Sequence, residues 1–125
     1  MRIFLADDQR DVRLGLRVLL EQEPELEIVG EAATVNELLK EVEKLQPDLL
    51  LLDWELPEKN IVYTVNNLHS ICPDLKIIAL SGRPETNKIA LMMGADAFVS
   101  KCDQPEKLIE AISEVRKKVG KKICN

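Results

Sequence analysis

Two rhythms of apolar residues alternate along the chain. Short, nearly continuous apolar runs come first. Residues 2–6, Arg2-Ile-Phe-Leu-Ala6, predict a strand ending at Asp7-Asp8, and residues 27–32 a second, partly polar one. Residues 48–57 hold four successive leucines, then Asp53, Trp54, Glu55 and Pro57. Without period-2 alternation, that strand must be covered on both faces, as in a parallel sheet flanked by helices. Residues 75–80 and Ala97–Ser100 read as the last two strands.

Helical spacing fills the intervals. Val12, Leu16, Leu19 and Leu20 share one face of a segment closed by Pro24. Thr34 and Glu37 have capping-box spacing and open a helix with Leu38, Leu39, Val42 and Leu45 inward, closed at Gln46-Pro47. Residues 60–71 carry Ile61, Val62, Val65, Leu68 and Ile71 at a fair helical period, with Asn60 as cap. Pro84 and Glu85 suit the first turn of a fourth helix that reaches Met93, with Gly94 after it. Met92 and Met93 read as ordinary packing residues. Gln104-Pro105-Glu106 opens a fifth helix with Leu108, Ile109, Ile112 and Val115 inward and Gly120 at its end. Strand and helix thus alternate in the manner of a doubly wound α/β fold with a parallel sheet.

Composition narrows this picture without redirecting it. With 125 residues, 46% of them hydrophobic, the chain is expected to form one domain with one core. A net charge of -5 gives no general attraction to nucleic acid or membranes, although Arg116, Lys117, Lys118, Lys121 and Lys122 concentrate positive charge near the end. The expected organisation is a domain over 1–118 and a basic tail or linker start over 119–125. Cys72, Cys102 and Cys124 have neither metal-ligand nor redox spacing. Cys102 reads as an inert loop cysteine and His69 as a surface or interfacial histidine. With no basic-apolar leader and no 18-residue apolar run, the expectation is a reduced, cytoplasmic, soluble protein.

Chemistry gathers where the strands end. In a parallel sheet Asp7, Asp8, Asp53, Glu55, Ser81 and Lys101 all fall on one edge, where open α/β sheets carry their sites. Several carboxylates together repel, and Lys101 alone cannot balance them. A hard divalent cation with oxygen ligands, Mg²⁺ most naturally, would complete the balance. Carboxylates, Mg²⁺, a hydroxyl and a lysine suit phosphoryl transfer, with Asp53 as the attacking group.

In that combination the chain resembles the receiver domain of response regulators, the phosphoacceptor module of two-component signalling, over residues 2–118. The resemblance implies a flavodoxin-like (βα)5 fold with strand order 2-1-3-4-5 and Asp53 as phosphoacceptor. It implies Mg²⁺, or Mn²⁺ in its place, held by Asp8, Asp53 and the backbone carbonyl of Glu55, with Asp7 acting through water. Ser81 and Lys101 would hold the phosphoryl oxygens, and Gly82 would leave the group open to water or to a partner histidine. Ser81 and Phe98 would form the switch. The stretches Cys72–Ser81 and Gly94–Lys101 look most like the subfamily that usually carries a C-terminal LuxR/NarL-type helix-turn-helix domain. The implied partners are a sensor histidine kinase or histidine phosphotransfer domain. Self-dimerisation would use the face of the fourth helix, fifth strand and fifth helix, or the first and fifth helices. DNA would be reached only through an output domain, and transcription controlled that way.

Departures from the family pattern keep alternatives open. Glu58-Lys59-Asn60-Ile61 replaces the usual Gly-Met-Asp-Gly-like turn, and Glu55 overhangs the phosphorylation site. A phosphorylation-independent interaction domain is the main alternative. A haloacid-dehalogenase-type phosphatase is a remote one, because Glu55 stands where that family needs a second aspartate. A flavodoxin-like cofactor binder would need a phosphate loop where Asp7 and Asp8 stand. As a receiver, the chain would support its own phosphorylation and dephosphorylation rather than conventional turnover.

Overall fold

The computed structural model describes residues 1–57 and 60–124, with side chains as far as Lys117. Strands β1 (Arg2–Ala6), β2 (Glu27–Ala32), β3 (Leu49–Asp53), β4 (Lys76–Ser81) and β5 (Ala97–Ser100) alternate with helices. The helices are α1 (Arg10–Leu20), α2 (Val35–Leu45), α3 (Ile61–Ile71), α4 (Asn87–Met92) and α5 (Pro105–Cys124). All strand pairs are parallel, in the order β2-β1-β3-β4-β5. Glu58 and Lys59, half of the unusual turn after Pro57, lie outside the described residues.

The leucine run explains the layering. Leu50 and Leu52 point with Phe4, Ala6, Ile77 and Ala79 toward Leu38 and Val42 of α2, Val65 and Leu68 of α3 and Ala90 of α4. Leu49 and Leu51 point with Ile3, Leu5, Ile78, Leu80 and Val99 toward Leu20 of α1 and Leu108, Ile112 and Val115 of α5. Each of the four leucines is at most 1% exposed, worth about 2 kcal/mol of burial apiece. A strand with both faces covered has no polar alternation to keep.

Local signals set most boundaries. The Thr34 side chain accepts from the Glu37 amide, and Asn60 Oδ1 accepts from Tyr63 N at 2.9 Å. Gln46 closes α2 in the left-handed region at φ 48°. Gly94 after α4 takes φ +114°, a conformation in which a side chain would be strained.

Several details differ from the sequence reading. Strand β4 begins at Lys76 and includes Ser81, because Leu75 N is used in a turn onto Cys72 O. Pro84–Thr86 forms a 3-10 turn before α4, as a proline-led first turn often does. Thr64 is buried on α3, satisfying its hydroxyl on Asn60 O, whereas Val62 is only half-buried. Met92 is 79% exposed and packs nothing, since α4 turns only Ala90 fully inward. Gly120 does not end α5, which continues to Cys124. An internal glycine costs a helix only about 1 kcal/mol relative to alanine.

Candidate functional site

Side-chain parity sorts the polar groups at the sheet edge. Asp7 continues the Ile3, Leu5 face of β1, and Asp53 the Leu49, Leu51 face of β3. Lys101, one residue beyond β5, continues the Ala97, Val99 face. All three therefore converge: Lys101 Nζ lies 2.8 Å from Asp7 Oδ2 and 3.2 Å from Asp53 Oδ1. Ser81 continues the Ile77, Ala79 face on the other side of the sheet, which also carries Phe98. Phe98 pairs with Ala79 in register and is half-buried against that core.

Local turns fix the two buried acids. Asp7 Oδ1 accepts from Gln9 N at 2.8 Å, and Asp53 Oδ1 accepts from Glu55 N at 2.9 Å. Both are aspartate turns closed on the second residue following, a habit of this short side chain. The loop bearing Lys101 is tied the same way: Ser100 N donates to Asp103 Oδ2 at 3.2 Å, and Cys102 N to Ser100 Oγ at 3.1 Å. Arg13 Nη1 donates to the Asp7 carbonyl at 2.6 Å, joining α1 to the edge. Sequence reasoning missed Gln9, Arg13 and Asp103. The Ser100-x-x-Asp103 spacing was the available signal for the last.

Charge is poorly balanced here. Carboxylate oxygens of Asp7, Asp8 and Asp53 lie within 4.8 Å of one another, Asp7 and Asp53 being buried and Asp8 exposed. Two such charges repel by on the order of 3 kcal/mol at an effective dielectric near 20. Burial above all pushes the Asp53 carboxyl above its ordinary value, and Asp7 adds to this; the Glu55 amide and Lys101 oppose it. For Lys101, burial would pull the ammonium down, but its bond to Asp7 and the charges of Asp53 and Asp7 leave it raised. Both values rise, which favours the charged form of Lys101 and disfavours that of Asp53, because one cation serves two acids. An all-oxygen donor set with surplus negative charge fits a small hard cation such as Mg²⁺. Among the described residues no donor reaches Asp53 Oδ2, and no buried side-chain oxygen lacks a partner.

The glutamate that overhangs this cleft is engaged. Ser81 Oγ donates to Glu55 Oε2 at 2.6 Å, and Gly82 N to Glu55 Oε1 at 3.2 Å.

A parallel five-stranded edge with an acid pair, a central aspartate, a serine and a lysine is the plan of a phosphoacceptor module. The family model for the response regulator receiver domain matches residues 3–113, and the chain belongs to that family. The uncharacterised transcriptional regulatory protein YhcZ of Bacillus subtilis is 37% identical over 112 residues, covering 88% of this chain and 52% of YhcZ. The nitrate/nitrite response regulator protein NarL of Escherichia coli is 32% identical over 114 residues, covering 90% and 53%. Among solved structures, a LuxR-family two-component response regulator from Aurantimonas superposes with a TM-score of 0.83 at 28% identity, over 91% of this chain and 83% of that one. The chain spans about half the length of the curated relatives it matches. Phosphorylation-dependent switching is the general function of the family. No helix among the described residues is long and apolar enough to cross a membrane.

Proposed function

We propose that this receiver takes a phosphoryl group onto Asp53 and uses it to change a protein-binding face. The observation that carries the reading is the pair of contacts from Lys101 Nζ to Asp7 and Asp53, beside the carboxylate cluster. Asp53 Oδ2 attacks phosphorus in line while the bond from phosphorus to the donor nitrogen breaks. The donor is a phosphohistidine of a sensor kinase or phosphotransfer domain. Asp53 Oδ1 stays anchored by the Glu55 amide and Lys101. Lys101 and Ser81 then hold phosphoryl oxygens, and Gly82 leaves space beside them. Water attacking phosphorus later returns the free carboxylate and inorganic phosphate, so the product of the chemistry is a state of the protein.

Asp8, Asp53 and the Glu55 carbonyl would ligate the cation, with Asp7 one water removed. Mg²⁺, or Mn²⁺ in its place, would supply charge neutralisation of the transferring group. Ser81, drawn toward the phosphoryl group, vacates volume on the Ala79 face into which Phe98 turns. The change reaches α4, β5 and α5, a candidate dimer face beside that of α1 and α5. Residues 1–118 form the receiver in this reading. Residues 119–125 lead toward an output domain, which would bind DNA in the cytoplasm and control transcription.

A phosphorylation-independent interaction domain is the second reading, favoured only by Glu55 lying on Ser81 and Gly82. Incubation with acetyl phosphate and Mg²⁺, followed by intact mass, separates the two. The account expects an adduct of about 80 Da that needs Mg²⁺ and is absent from Asp53→Asn. No adduct from acetyl phosphate or a cognate kinase would leave the second reading standing.

A further inference from the structure

A serine hydroxyl and a backbone amide each have one proton to donate. Ser81 directs its proton to Glu55 Oε2 at 2.6 Å, a length typical of a hydroxyl on a charged carboxylate. Its only other acceptor among the described residues is Arg83 O, at a weak 3.4 Å, while its lone pair accepts from Arg83 N at 2.9 Å. Gly82 gives its N–H to Glu55 Oε1. Neither donor can serve a phosphoryl oxygen until Glu55 withdraws. Glu55 is otherwise exposed, so it has solvent to withdraw into.

We propose that the Glu55 carboxylate is a resident anion that occupies the phosphoryl-oxygen donors Ser81 and Gly82 in the resting state and is expelled when a phosphoryl group arrives. The inference rests on Asp53 being the acceptor. A tetrahedral oxyanion on Asp53 competes for the same two protons and also repels the carboxylate. Displacement releases Ser81 to move, and it frees Glu55 itself at the start of the segment joining β3 to α3. Phosphorylation is thereby read out at Glu55 as well as at Phe98. The same competition sets a threshold: phosphoryl transfer must displace a bidentate ligand before it is complete.

The test uses the whole chain at saturating Mg²⁺ with beryllofluoride as the phosphoryl mimic, comparing wild type with Glu55→Gln and Glu55→Ala. Two quantities are read by NMR: the Gly82 amide shift without beryllofluoride, and the affinity for beryllofluoride. The proposal expects the Gly82 amide to move upfield in Glu55→Ala. It also expects beryllofluoride to bind roughly tenfold more tightly there, with Glu55→Gln between, because the amide keeps one acceptor and loses the charge. An unmoved Gly82 amide overturns the resting contact. An unchanged or weaker affinity in Glu55→Ala overturns the competition. If no variant binds beryllofluoride, the reading of Asp53 fails and the displacement with it, while the Gly82 shift still reports the contact separately.

Discussion

Burial costs the Asp53 carboxylate more than its partners return, since Lys101 is shared with Asp7 and the Glu55 amide supplies a single hydrogen bond. The consequence for stability has a definite sign. Its folded pKa lies above the ordinary 3.8, so the folded protein holds the proton more tightly than the unfolded chain does. A penalty therefore develops as pH rises from 3.8 and is complete once pH has passed the folded value. Asp53→Asn should raise the stability of the Mg²⁺-free domain by about 1 kcal/mol at pH 7, with the gain vanishing in acid. Thermal melts across pH check this. Added Mg²⁺ should raise the melting temperature of the wild type more than that of Asp53→Asn, by mass action on the folded state. A melting temperature for Asp53→Asn below the wild type in chelator would mean that Lys101 returns more than burial takes.

At the scale of elements, charged side chains tie α1 to β2. Glu31 on β2 accepts from Arg13 Nε at 3.0 Å and from Arg17. Burial raises the Glu31 carboxyl, but the hydrogen bonds and charges of Arg17 and Arg13 outweigh it, and its pKa falls below the ordinary 4.5. The linkage runs opposite to that of Asp53. Stability from Glu31 is full above 4.5 and is lost as pH falls through the lowered folded value. Glu31→Gln should cost about 1 kcal/mol at pH 7 and nothing well below the folded pKa, as read by denaturant unfolding at the two pH values. This clip could not be read from the sequence, because it joins residues 14 and 18 apart across a loop. Elements with a local signal were legible: Thr34 and Asn60 cap the helices they were expected to cap. Gly120 and Met92 were misread for one shared reason. Propensity and residue type speak to the chain nearby, whereas the reach of α5 and the shallow seating of α4 are set elsewhere.

Over the whole molecule, topology does what no single segment reveals. Four leucines said that β3 is covered twice, and the order β2-β1-β3-β4-β5 then brings Asp7 and Asp53 side by side on adjacent strands, with Lys101 reaching both. Period-2 counting from the cores also divides the site into a Lys101–Asp7–Asp53 half and a Ser81–Phe98 half on the opposite face. Sequence spacing put Asp7, Asp53, Ser81 and Lys101 on this edge, and the family resemblance singled out Phe98. Spacing could not tell that Ser81 and Lys101 continue opposite faces of the sheet, nor that the Glu55 carboxylate accepts a hydrogen bond from Ser81, because that depends on where a side chain turns after the strand has ended. The polar residues of the edge were legible as a list, and the couplings among them needed the fold.

The central claim is that Asp53 carries the phosphoryl group, and locating the acyl phosphate tests it most directly. The protein is incubated with Mg²⁺ and acetyl phosphate, and the mixed anhydride is reduced with borohydride, which converts a phosphorylated aspartate to homoserine. Peptide sequencing then reads the modified position. The account predicts homoserine at position 53 alone, lost in Asp53→Asn and without Mg²⁺. Homoserine at position 7 or 8, or an intact aspartate at every position after confirmed exposure to the donor, would contradict it.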